Sequence, residues 1–123
     1  MFESDGVLDF LAEFQNSMDF SLIENAVSNV LESDEYIDVD DCYNVIASAE
    51  IIAAIKGNIS AEFPEDLSFK STSLHESIND ELIKSIKKAL KKVLLKDGSE
   101  LVELWEDEDF LKDYYEDLLK RIS

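Results

Sequence analysis

A chain of 123 residues with three glycines and one proline has few places to turn. A many-stranded sheet needs such punctuation roughly every 8–12 residues, so this composition points to helices. Seven Phe, four Tyr and one Trp supply large side chains for a core, and a 46% apolar share argues against disorder. The expected architecture is all-α: a compact single domain over residues 1–123, a helical bundle of about five to six helices.

The apolar spacing locates the helices. Val7, Leu8, Phe10, Leu11 and Phe14 predict a helix over 6–15, with Asp5 placed to cap it and Asn16-Ser17 breaking it. Leu22, Ile23, Ala26, Val27, Val30 and Leu31 form one continuous stripe on a second helix. A third is expected from Asp38 to Lys56, with Cys42, Val45, Ile46, Ala49, Ile52 and Ala53 sharing a face and Gly57 ending it. Pro64 favours a loop, or the first turn of a short helix through Leu67. A long helix is expected over Ser73–Lys96. Its start is the Ser-x-x-Glu capping box Ser73-Leu74-His75-Glu76, and its buried stripe runs from Ile78 to Leu94. Ser99 is placed to cap a further helix that turns Leu101, Leu104 and Trp105 inward. The acidic run Glu106-Asp107-Glu108-Asp109 then separates it from a last one carrying Phe110, Leu111, Tyr114, Leu118, Leu119 and Ile122.

Charge is segregated along this frame. Twenty-nine acidic against eleven basic side chains give a net of −18. Residues 1–66 hold sixteen acids and one lysine, whereas 67–98 hold seven lysines and four acids. Such a field repels nucleic acid and anionic lipid, so neither is an expected partner, and it attracts basic proteins. Lys84, Lys87, Lys88, Lys91 and Lys92 avoid the apolar stripe of their helix. They are read either as compensation for the acidic helices around them or as a basic contact surface. The preferred binding candidates are two acidic clusters: Asp34, Glu35, Tyr36, Asp38, Asp40 and Asp41, then Glu106, Asp107, Glu108 and Asp109. Tyr43, Trp105, Tyr114 and Tyr115 lie within or beside them. Carboxylates around aromatic anchors suit a basic protein. The plainer alternative makes the clusters solvated helix ends and Trp105 part of the core.

No catalytic or metal constellation emerges. Zinc sites need several Cys or His ligands at short spacing, and Cys42 and His75 stand far apart. In an EF-hand register from Asp38, Asp40 fits, but Cys42 and Tyr43 replace a ligand and the central glycine. There is no glycine-rich phosphate loop and no Gly-x-Ser-x-Gly elbow. Cys42 lies on an apolar stripe, which predicts a buried, inert thiol rather than a nucleophile paired with His75. The chain is expected to have no catalytic residues, no metal and no cofactor. A lone cysteine, an acidic rather than signal-like start and the lack of a long apolar run make cytoplasmic the expected location.

Several segments resemble a bacterial family catalogued as domain of unknown function 4259. They are Phe2-Glu3-Ser4-Asp5 with Leu8-Asp9-Phe10-Leu11, the Ala-rich stretch Ala47–Gly57, Phe63-Pro64-Glu65-Asp66-Leu67, and Ser99-Glu100-Leu101-Val102-Glu103-Leu104-Trp105-Glu106. The last is similar to a Ser-Glu-Leu-x-Glu-Leu-Trp-Glu segment of that family. Family members commonly open with a Met-Gly-x-Trp-type segment, and this chain is expected to lack whatever that segment does. The resemblance implies an α-helical cytoplasmic protein and carries no known activity. Small acidic families of this kind also resemble the immunity proteins of bacterial toxin systems, an analogy of size, charge and helix content. The expected function is therefore binding: an immunity-type inhibitor of a basic toxin domain such as a nuclease. The alternatives are a structural or regulatory interaction module, in one form a homodimer, and an enzyme using carboxylates.

Overall fold

The computed structural model describes residues 4–33, 36–64, 76–95, 99–105 and 107–123. Helices α1 (Asp5–Ser17), α2 (Ser21–Leu31), α3 (Val39–Ile55), α4 (Asp80–Leu94), α5 (Glu100–Leu104) and α6 (Glu108–Ile122) make up most of it. The all-α expectation holds. Among the described residues the extended pairing is one isolated parallel bridge, Ile37 to Ser99.

Helix α3 is the axis of the fold, and both its ends are chemically defined. Asp38 is extended and its carboxylate accepts the Asp41 N–H at 3.0 Å, which satisfies a backbone donor that the first turn leaves free. At the other end Gly57 adopts a φ of 88°. The Gly57 and Asn58 amides then donate to the carbonyls of Ala54 and Ala53, a Schellman termination that a side chain at Gly57 would strain. Between these ends the expectation of a single buried face is too narrow. Every residue from Val45 to Ala54 is buried, Ser48 and Glu50 included. The small residues Ala47, Ser48, Ala49, Ala53 and Ala54 let neighbours approach on all sides, and α3 contacts each of the other five helices.

The surrounding helices are amphipathic. Val7, Phe10, Leu11 and Phe14 bury one face of α1 against α3, and at about 1.5–3 kcal/mol per buried large side chain that face holds the helix in place. Gly6 permits a close approach there: a Cβ at this position would lie 2.7 Å from the Tyr43 ring. The helix begins at Asp5 itself, so Asp5 is a first-turn residue and not the cap. It runs through Ser17 and stops where Met18 turns left-handed, at φ 52°, its amide donating to the Phe14 carbonyl. Phe14 meets Phe20 edge to face, fixing the step into α2.

Helix α4 starts later than expected. Its cap is Asn79, whose side chain accepts the Leu82 N–H at 2.8 Å, and Ser77–Asn79 are not helical. The Ser73 and His75 of the expected box, and residues 65–67, lie outside the described residues. Glu76 lies ahead of α4 rather than inside it. Ile86, Ala89, Leu90, Val93 and Leu94 are buried as expected. Lys92 bends back to α2, its ammonium donating to the carbonyls of Val30 and Ser33 at 2.9 and 3.0 Å. It supplies the C-terminal cap that α2 lacks in its own sequence. Lys84, Lys87, Lys88 and Lys91 form no ion pair among the described residues. No described helix is long and apolar enough to cross a membrane.

Candidate functional site

The Ile37–Ser99 bridge brings together two segments that the sequence keeps apart. The Glu100 amide donates to the Ile37 carbonyl at 2.8 Å, and the Glu100 carboxylate accepts the Val39 N–H at 2.7 Å. Beside them the Tyr36 hydroxyl donates to Glu103 at 2.6 Å. Ser99 was expected to cap α5 with its side chain. It sits at the cap position but is buried, its hydroxyl donating to the Val93 carbonyl and touching the Cys42 sulfur at 3.2 Å. Burial pushes the Cys42 thiol up, in line with an inert cysteine. The start of α3 and the start of α5 thus form one acidic seam.

Electrostatics along the seam follow from hydrogen bonding and burial, with like charge adding to both. The hydrogen bond to Glu103, together with desolvation and the nearby Glu103 and Glu100 charges, pushes the Tyr36 phenol up to about 12. Desolvation, then the charges of Asp38 and Asp40, raise Asp41. Among the described residues both ion pairs belong to Arg121, so no described cation is paired with these acids.

An aromatic ladder continues the seam. Asp107 caps α6 by accepting the Phe110 N–H at 3.0 Å, which turns the chain after Trp105 and aims the first turn of α6 back at it. Trp105 stacks on Phe110 with centroids 5.2 Å apart and planes 12° from parallel. Phe110 stacks on Tyr114 at 6.3 Å and 4°. The ladder is solvent-facing at its middle: Phe110 is 40% exposed, and neighbouring Leu104 is 59% exposed. Both were expected in the core, and Trp105 is half-buried rather than enclosed. The short α5 cannot turn Leu101 and Leu104 to the same depth once Glu100 and Ser99 are tied to α3.

The half-buried Tyr114 end of the ladder is anchored by an unforeseen cluster. Tyr114 donates its hydroxyl to Glu50 at 2.9 Å, and the Arg121 guanidinium forks onto both oxygens of that carboxylate. The Glu50 side chain is fully buried, and Arg121 also reaches Asp117 at 2.8 Å. Burial, reinforced by the Glu50 charge, drives the Tyr114 phenol well above its ordinary range. Burial works to lower the Arg121 pKa, but the bonds and charges of Glu50 and Asp117 outweigh it, so it is raised. Farther along, Lys56 donates to the Ile122 carbonyl and Asn58 to that of Arg121, closing the C-terminus of α6. The Tyr114–Glu50 bond lies earlier on both helices than the Lys56–Ile122 bond, so α6 runs in the sense of α3 and its acidic start lies toward the acidic start of α3.

Of the expected binding residues, Tyr36, Asp38 and Asp40 are exposed and Asp41 half-buried, all on the seam. Asp107 and Asp109 are exposed at the head of α6, which Glu108 opens. Asp34, Glu35 and Glu106 lie outside the described residues. Sequence reasoning missed Glu100, Glu103, Leu104 and Phe110, because nothing local pairs them with Tyr36 or Val39. It also missed Glu50, although a signal existed: one acid inside an otherwise uncharged run from Cys42 to Ile55, in a chain with a single arginine. An open groove of about 130 Å³ between α2 and α4, lined by Glu24, Val27, Ser28, Leu31, Leu82 and Ser85, includes none of the expected residues. Among the described residues no three of His, Cys, Asp and Glu converge as a metal would require.

Neither a curated protein nor a solved structure matches the chain. The sequence profile described as Domain of unknown function (DUF4259) matches residues 1–117, nearly the whole length and all the segments that suggested the resemblance; the chain belongs to that family.

Proposed function

We propose that this protein acts in the cytoplasm by binding a basic protein through the acidic seam and the aromatic ladder beside it, without chemistry of its own. The observation that carries this reading is the pairing of unneutralised carboxylates with exposed rings. Asp38, Asp40, Asp107 and Asp109 have no cationic partner among the described residues, and Tyr36, Leu104 and Phe110 stand exposed close to them. Opposite charge steers encounter, and desolvated aromatics slow release. The partner we favour is a basic toxin domain such as a nuclease, silenced when the acidic surface covers its active site or substrate groove. A homodimer through the same patch fits less well, because a two-fold interface sets identical patches face to face and would bring the acids together.

Co-expression with a basic toxin domain encoded beside its gene tests the reading. The expected outcome is restored growth and a one-to-one complex on gel filtration that weakens as salt rises. Full toxicity, with no complex formed, would sink it.

A further inference from the structure

We propose that Glu50 is the positioning residue of the ladder: through the Tyr114 hydroxyl it fixes the rotation of α6, and with it the place of Phe110 and Trp105. Helix α6 carries two stripes side by side. Leu111, Leu118 and Ile122 recur at i, i+7 and i+11 and are buried. Phe110, Tyr114, Asp117 and Arg121 recur at i, i+4, i+7 and i+11 on the neighbouring face. Apolar burial is non-directional, so the first stripe selects which side of α6 meets the core more than it selects the angle. The second stripe sets the angle, because a hydrogen bond weakens steeply away from its preferred line.

The contacts form one continuous chain from core to surface. Glu50 is 1% exposed, and the Arg121 guanidinium forks onto both of its oxygens, which sets the plane of the carboxylate. One of these oxygens, Oε2, accepts the Tyr114 hydroxyl at 2.9 Å. The Tyr114 ring lies 4° from parallel with Phe110, and the Phe110 ring 12° from parallel with Trp105. Lys56 and Asn58 grip the last turn of α6 through its carbonyls, whereas the Tyr114 bond acts about two turns nearer the head of the helix. A buried ion pair adds little net stability over an apolar pair of the same size, and its best-attested use is to single out one register. Here the register is the angle at which α6 presents its rings.

Trp105, the sole tryptophan, reports on the outer end of this chain of contacts. Its near-ultraviolet circular dichroism and its quenching by acrylamide are read in the full-length protein, with urea unfolding as the measure of stability. Glu50→Met combined with Arg121→Met leaves no unpaired charge, and its unfolding midpoint is expected close to that of the wild type. Its Trp105 dichroism is expected to fall by about half and its quenching to rise about twofold, since apolar packing loses uniqueness before it loses stability. Glu50→Gln combined with Arg121→Met returns an acceptor to Tyr114 and is expected to restore both Trp105 signals. Tyr114→Phe keeps the ring and the Glu50–Arg121 pair, removes only the bond, and is expected to match the methionine variant; it decides the question if that variant does not fold. Trp105 signals that stay at wild type in Tyr114→Phe overturn the inference, and so does their loss in the glutamine variant. The readout is the ladder itself, so either result leaves the basic-partner reading to its own test.

Discussion

The two ends of α3 handle charge in opposite ways. At its start Asp38, Asp40 and Asp41 gather on one turn, with Glu100 bonded to the Val39 amide beside them, and no described cation is paired with them. In its buried half a single carboxylate, Glu50, receives the chain's one arginine and a tyrosine hydroxyl. The difference follows from solvent. Water and salt screen the exposed acids, so their mutual repulsion is mild and folding tolerates it. Burial removes that screening, so a lone carboxylate in the core would cost several kcal/mol unless paired. Compensation therefore appears where folding demands it, and the uncompensated charge is left on the surface, where a partner can meet it.

Breaking the buried side of this contrast carries the largest expected effect. Glu50→Ala leaves the Tyr114 hydroxyl without its acceptor and the Arg121 guanidinium with exposed Asp117 alone. A loss of about 3–5 kcal/mol in unfolding free energy is expected from urea titration. Since Tyr114 is the inner rung of the ladder, Trp105 emission in the folded variant is expected to shift as well. Replacing Glu50 and Arg121 together by apolar residues of similar size is expected to restore most of the stability, because no unpaired charge remains.

At the exposed end the acids differ among themselves. Asp38→Ala removes the cap of α3 and is expected to cost about 1 kcal/mol in thermal unfolding, whereas Asp40→Asn is expected to be neutral within about 0.5 kcal/mol. Equal costs for both would mean that bulk charge, and not the cap, governs this end.

The smallest effect sharpens the contrast through pH. With the Tyr36 phenol at about 12, the unfolded chain loses that proton near the ordinary tyrosine value of 10.0 while the folded protein still holds it. The folded state binds more protons across this interval, so the Tyr36 contribution to stability falls as pH rises through it. Ultraviolet titration is expected to show two late tyrosines, Tyr36 and Tyr114, and Glu103→Gln is expected to return Tyr36 alone toward its ordinary value. Two late tyrosines persisting in Glu103→Gln would show that the seam is not joined through this bond.

Legibility tracked how local each interaction is. The Gly57 terminator was readable because its partners lie within about five residues, whereas Asp38 was read as the first residue of the helix and the structure makes it the cap. The mistaken cap at Asp5, and the late start of α4 at Asn79, show the limit of the same method: several polar residues near a helix end compete, and packing decides which one caps. Leu104 and Phe110 were assigned to the core by periodicity alone. Tying Ser99 and Glu100 to α3 fixed the rotation of α5 and left Leu104 at the surface, while Phe110 stands on the first turn of α6 beyond the Asp107 cap.

Scarce turn-formers and helical periodicity determined that the chain is α-helical, and segregated charge determined that its two outer stretches are acidic. Tertiary structure decided that those stretches meet in one seam, that the rings beside it stack, and that Glu50 is the acid drawn inside. The Tyr36–Glu103 bond spans 67 positions and the Glu50–Arg121 bond 71. Periodicity states which side of a helix is apolar, but it carries no information on which turn of a distant helix will pack against that side.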